Sequence, residues 1–306
     1  MTTVGFELEM SDIKTGDAAL IVYEDLTYWQ DRWGQYNKPQ LHYDRWHLTS
    51  DGSIRNSNGT RCMTTYIDED GKKKKANPSK ISKDRLKWQG AELISPVLTL
   101  DEIRTIDGKR QQEFEGFVSK FIEKDAVFEK HLFDSLHVHI SVEEVAYRDL
   151  MYWVEQIYNV QDTLDSLGND WRKRNKFIPS DLIKFKEAAD KQDEFEFTQL
   201  LKKTKDGEEK FWDHDDIRRI VDISHAFRVD RPNTIEFRCY SPVPTWEYIT
   251  SCIELSLWLV EQWKAKTPYR DYYETLREKA NSIKKLDESY YAIKGIGRGE
   301  DASLPR

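Results

Sequence analysis

Cysteine is scarce: Cys62, Cys239 and Cys252 are the only three in 306 residues. They form no CxxC pair and leave one thiol over in any pairing, which argues against a disulfide framework and for reduced thiols in a cytoplasmic compartment. No apolar run approaches the roughly 18 residues that a membrane-spanning helix needs, and the opening MTTVGFELEM has neither a basic nor an apolar signal region. Secretion and membrane insertion are therefore not expected. Positive charge is also short, with a net charge of −8. No global field gathers nucleic acid or an anionic membrane, so any such partner has to use a local patch. There is no internal repeat of fixed period and no long low-complexity tract.

What the chain does have is large rings. Aromatic residues make up 12% and there are 10 Trp, against a modest 38% hydrophobic and 33% charged. So many rings mark a folded chain rather than a disordered one. The length is enough for about two domains, or one with an insertion.

Three separated segments place polar residues two positions apart inside strand-like apolar runs: Glu7 and Glu9 in VGFELEM, His137 and His139 in LHVHIS, Glu236 and Arg238 in TIEFRCY. Side chains at i and i+2 on a strand share a face, so each pair projects to one side. If the three strands are neighbours, that face is a site. AELISPVL reads as a further strand up to Pro96 and adds Glu92, while Asp51-Gly52 and Asp70-Gly71 are turn signals. The basic GKKKKANPSK is expected at an exposed hairpin tip. Residues 100–124 have helical spacing throughout, and Leu150, Val154, Ile157, Gln161 and Leu164 lie on one helical stripe interrupted by Gln161. Shorter charged helices are expected over 170–204, with Pro179 ahead of one. Two strands, 225–229 and 234–240, are expected around the turn DRPN. Thr245 reads as the N-cap of a helix burying Trp246, Ile249, Ile253, Leu257 and Val260, the first of a final helix pair. The tail after Lys294 is expected to fray.

Carboxylates facing the same way repel unless positive charge lies between them, and a divalent cation is the usual answer. Glu7, Glu9, Glu92 and Glu236 are four candidate oxygen donors, and hard oxygen ligands favour Mg²⁺ or Mn²⁺. The HxH pair alone admits three readings: a zinc-ligating pair, one metal ligand plus one phosphate-facing donor, or two polar positions on a half-exposed strand. Arg238, beside Glu236, is placed either to neutralise a transferring phosphoryl group or simply to form a cross-strand ion pair.

Taken in order, GFELEM, TSDGSI, GAELISPVL, LHVHIS, DWRKRNKF and TIEFRCYSPVPTWEYI resemble the amidoligase family of the glutamine-synthetase and glutamate–cysteine-ligase fold, over roughly residues 4–262. The long basic excursion 59–87 departs from the family pattern by separating DGS from AELISP. The resemblance implies an α+β fold: a curved antiparallel sheet with helices packed on one face, a catalytic domain over 1–265 with a helical insertion at about 168–210, and a C-terminal helix and tail over 266–306. It also implies an ATP-dependent carboxylate–amine ligase that forms an amide through an acyl phosphate, with Mg²⁺ or Mn²⁺ and small-molecule or peptide substrates. Carried over by position, Glu7 and Glu9 belong to two adjacent metal sites, with Glu92 completing one and His137 and Glu236 the other. His139 faces the ATP phosphates, Arg238 the transferring γ-phosphoryl, Arg172 and Arg174 the nucleotide or an anionic substrate, and Asp51 the mouth of the site. The absence of a P-loop, a GxSxG elbow or a cysteine-nucleophile motif agrees with such chemistry. Three alternatives remain: a phosphotransferase of the same fold, a zinc-dependent hydrolase using His137 and His139, and a non-catalytic binder of nucleic acid or protein through Lys72–Lys75 and Arg172–Arg174.

Overall fold

Val4, Phe6, Leu8 and Met10 alternate with Gly5, Glu7, Glu9 and Ser11 along the first strand, β1 (Val4–Lys14), and this alternation organises the molecule. The computed structural model describes residues 2–23, 44–49, 54, 65–67, 73–75, 89–128, 134–142, 147–168, 179–191, 220–223 and 233–294. Among the described residues seven further strands follow: β2 (His47–Thr49), β3 (Thr65–Ile67), β4 (Lys73–Lys75), β5 (Gln89–Ile94), β6 (Leu136–Ser141), β7 (Val221–Asp222) and β8 (Thr234–Tyr240). Six of the eight form one sheet in the order β2-β5-β1-β6-β8-β7. Every neighbouring pair in it is antiparallel. Thus the three strands carrying the paired polar residues, β1, β6 and β8, are consecutive neighbours.

Helices supply the other layer: α1 (Thr15–Tyr23), α2 (Leu100–Arg104), α3 (Lys109–Glu123), α4 (Tyr147–Asp165), α5 (Pro179–Asp190), α6 (Trp246–Lys264) and α7 (Tyr269–Ile293). Val4, Phe6, Leu8 and Met10 of β1 and Leu136, Val138 and Ile140 of β6 are buried in the hydrophobic core with helices α3 and α6. Phe6 meets Phe114 of α3 edge-on at 5.7 Å and Trp246 of α6 at 6.3 Å, and Phe237 of β8 stacks on Trp263 of α6 at 5.9 Å. Each such side chain, withdrawn from water, contributes about 1.5–3 kcal/mol, so the apolar half of the alternation fixes which face of the sheet remains for chemistry. Helix α7 joins the same core through Tyr272, Leu276, Ala280 and Ile283.

Several expectations meet the structure directly. Thr245 caps α6, its hydroxyl accepting from Tyr248 N. Pro179 occupies the first position of α5, where its missing N–H costs nothing. Gln161 is buried on α4, within the apolar stripe.

Others are corrected. Residues 100–124 are two helices: Asp107 adopts a left-handed φ of 56°, and a Cβ at Gly108 would come 2.9 Å from Thr105 O. The Asp-Gly pair thus breaks a periodicity that otherwise runs on. Lys73–Lys75 form a strand rather than a tip, pairing with Thr65–Ile67. Ladder bonds use backbone alone, and lysine is common on exposed edges. The sheet is not strongly curled; its edge strands are three and two residues long, which leaves little length over which twist can accumulate. The expected strand 225–229, the helical stretches 170–178 and 192–204, and the tail beyond 294 lie outside the described residues. Among the described residues no helix is long and apolar enough to cross a membrane.

Candidate active site

The polar half of the alternation converges on one face. Cross-strand register sets Glu7 opposite His137, Glu9 opposite Glu92, and His139 opposite Glu236. Directly paired residues share a face, so six of the seven strand residues singled out from sequence meet there by register alone.

Arg238 joins them as the i+2 neighbour of Glu236, at an irregularity in the ladder. Between Val138 and Leu136 the β6–β8 register slips by one residue, so that Arg238 and Cys239 together oppose His137. Such a bulge re-aims the side chains around it. Arg238 stays on the polar side and donates to Glu236 Oε1, while its own N–H donates to Ile220 O at 2.8 Å. Tyr240 turns to the helix side, its hydroxyl 2.7 Å from Ser256 of α6. Behind the bulge, Gly168 lies so close that a Cβ would stand 2.3 Å from Cys239 O.

Glu7 is the hub. Its Oε2 lies 3.2 Å from His137 Nδ1 and its Oε1 lies 3.3 Å from His139 Nε2. His137 Nδ1 is also 3.4 Å from Glu236 Oε1. Two donor sets can each converge on a common point, Glu7–Glu92–His137 and Glu7–His139–Glu236, both of them containing Glu7. His137 is 1% exposed and His139 20%. Each histidine belongs to a different set.

Burial and charge oppose each other throughout. Burial disfavours the charged form of Glu7, but His139 and His137 beside it outweigh that and hold its carboxyl well below the usual range. Glu236 resists burial in the same way and is held at about 2, chiefly by Arg238 and then by His139 and His137. His139 is raised to about 9: burial lowers it, and the Glu7 and Glu236 carboxylates more than compensate. Arg238 is raised too, its burial offset by Glu236, Glu9, Glu7 and Asp222.

The balance is still negative. Glu9, Glu92 and Glu236 are each at most 5% exposed, and with Glu7 they set four carboxylates against the Arg238 guanidinium and the His139 imidazolium. Glu236 Oε2 is buried and accepts no hydrogen bond among the described residues. Carboxylate oxygens with an imidazole nitrogen suit Mg²⁺ or Mn²⁺, so the residues present fit divalent cations.

Two groups here escaped the sequence reading. Ser135 touches both Glu9 and His137; continuing the two-residue period of HxH one step upstream would have reached it. Asp222 lies opposite Glu236 on the edge strand, and a two-residue strand leaves no periodicity to read. Asp51, Arg172, Arg174 and Lys72 lie outside the described residues.

Fold and face together define the class: an α+β chain with an acidic–histidine group of metal-binding composition on one face of an antiparallel sheet. The chain belongs to the amidoligase family, whose model, described as "Putative amidoligase enzyme", matches residues 1–260. Neither a curated protein nor a solved structure matches it.

Proposed function

We propose that the protein is an ATP-dependent carboxylate–amine ligase of glutamine-synthetase-like architecture, its catalytic unit spanning 1–265 and its site the polar face of β5, β1, β6 and β8. The observation that carries this reading is the pair of three-donor sets sharing Glu7, with Arg238 beside them. In the reaction, a carboxylate oxygen of the acid attacks the γ-phosphorus of ATP and ADP departs. The amine nitrogen then attacks the acyl carbon, phosphate leaves, and the nitrogen sheds a proton as the amide forms.

The chain's own residues hold and neutralise. Glu7, Glu92 and His137 would hold one cation, and Glu7, His139 and Glu236 a second. Bound cations would supply charge neutralisation and alignment of phosphate oxygens, worth several kcal/mol in phosphoryl transfer. Arg238 adds a guanidinium already oriented by Glu236, a fork suited to phosphate oxygens. His139, the more exposed imidazole, is the one an entering phosphate reaches.

This division of roles differs from the sequence expectation at three residues. His137 groups with Glu92 rather than Glu236, His139 groups with Glu7 and Glu236 as well as facing phosphate, and Glu9 belongs to neither donor set. The separation of the two histidines between sets also favours ligation over a zinc hydrolase, which would need both on one ion.

The test is ADP release by the purified protein with ATP, Mg²⁺ and panels of acids and amines. Ligation requires ADP only when both substrates are present. A stable phosphorylated product without amine consumption would instead select a phosphotransferase.

A further inference from the structure

Among the described residues, two neighbours compete for the one hydrogen of the Ser135 hydroxyl. Its Oγ donates to Glu9 Oε2, and the same Oγ lies 2.7 Å from His137 Nε2. Ser135 and His137 are each 1% exposed and Glu9 is 0% exposed. A buried carboxylate is the stronger acceptor, so the serine hydrogen goes to Glu9. The remaining contact is then satisfied only if His137 carries its own hydrogen on Nε2 and donates it to the serine lone pair. That leaves the other end of the ring for the cation. Nδ1, 3.2 Å from Glu7 Oε2 and 3.4 Å from Glu236 Oε1, is the nitrogen that faces the carboxylates, and it offers its lone pair to a cation once that cation replaces the proton shared with them.

We propose that Ser135 is a positioning residue: it relays the buried charge of Glu9 to His137, fixing the imidazole as the Nδ1 ligand of the cation held with Glu7 and Glu92. This rests on the cation-binding reading above and adds to it. Metal-ligating histidines commonly donate their second N–H to a carboxylate, which fixes the tautomer and raises ligand basicity. Here a serine is interposed between the carboxylate and the histidine. The relay also gives Glu9 a function, since Glu9 is buried on this face and yet stands outside both donor sets. Chain geometry makes it cheap to build. Ser135 is two residues before His137 on the same face, and Glu9 N donates to Ser135 O at 3.0 Å.

The experiment is Mn²⁺ binding to the full chain, read from the electron-paramagnetic signal of free Mn²⁺, for the wild type and for Ser135→Ala, Ser135→Thr and Ser95→Ala. Ser95→Ala is the control: it removes a buried hydroxyl that bonds Phe6 N on the same sheet and touches neither donor set. Cooperative thermal unfolding confirms that each variant folds. The expected result is a loss of affinity of about 10–100-fold in Ser135→Ala, recovery in Ser135→Thr, and no change in Ser95→Ala. In nitrogen-15 spectra of histidine-labelled wild-type protein with Mg²⁺ bound, the hydrogen of His137 should sit on Nε2. Unchanged Mn²⁺ affinity in Ser135→Ala, equal losses in Ser135→Ala and Ser95→Ala, or a hydrogen on Nδ1 with the cation bound would overturn the relay while leaving the cation sites standing. Wild-type protein that binds no Mn²⁺ would overturn both.

Discussion

Arg238 donates to Glu236 from two residues along the same strand, both side chains buried on one face of the sheet. A strand's two-residue period brings them together, and the bulge opposite His137 turns Tyr240 away to the helix side. The pair itself follows from spacing, and the irregularity bears on what comes after it.

Glu236→Gln and Arg238→Ala should each abolish ligation, with Arg238→Ala costing about 10²–10³-fold or more in kcat, the scale of losing one preorganised donor. The two should differ in stability. Arg238→Ala leaves a carboxylate buried without its guanidinium and should destabilise metal-free protein by about 3–5 kcal/mol; Glu236→Gln leaves Arg238 with Glu9, Glu7 and Asp222 nearby and should cost less. Chemical denaturation of both variants checks the order, and turnover near the wild-type rate in either would break the assignment.

The pH dependence of metal-free stability has a worked sign. His139 is raised from 6.5 to about 9, so its contribution is complete below 6.5 and is lost as pH rises through about 9. Glu236 is lowered from 4.5 to about 2, so its contribution is present above 4.5 and is lost as pH falls through about 2. This cluster therefore stabilises most between 4.5 and 6.5. Thermal unfolding from pH 6.5 to 9 should show a decline that His139→Gln lacks, and Mg²⁺ should oppose the decline by replacing the proton. Identical profiles for the two proteins would refute the coupling.

Gly168→Ala should lower stability by about 1–3 kcal/mol, because the added methyl meets backbone with no room to yield. Since that backbone is Cys239, next to Arg238, activity should fall further than stability predicts. A thermal midpoint equal to wild type would show that the loop relaxes freely.

Metal analysis of protein purified without chelator should find no tightly held stoichiometric zinc. Mg²⁺ binding should be weak alone and strengthened by nucleotide, whose phosphates complete the oxygen coordination. One zinc per chain would favour the hydrolase alternative.

Much of the site was legible because β structure is periodic. Glu7/Glu9, His137/His139 and Glu236/Arg238 could be assigned to shared faces from spacing, and their order along the chain carried the family resemblance, while the adjacency of the three strands stayed a condition until the sheet order was seen. What spacing could not supply was cross-strand register. It sets Glu9 against Glu92 and His139 against Glu236, and long-range pairing is not encoded in any one segment. The bulge in β8 was equally hidden, because TIEFRCY alternates without a break. Helix ends were read where side chains cap them, as at Thr245, and missed at Asp107-Gly108, where helical spacing was read across a turn.

The most direct test follows an oxygen atom. Once a productive acid and amine are found, the acid is supplied with oxygen-18 in its carboxylate, with ATP, Mg²⁺ and the amine, and the released phosphate is analysed by mass. Activation through an acyl phosphate transfers one labelled oxygen from the acid to phosphate for each amide formed. Amide formation with unlabelled phosphate would contradict the account.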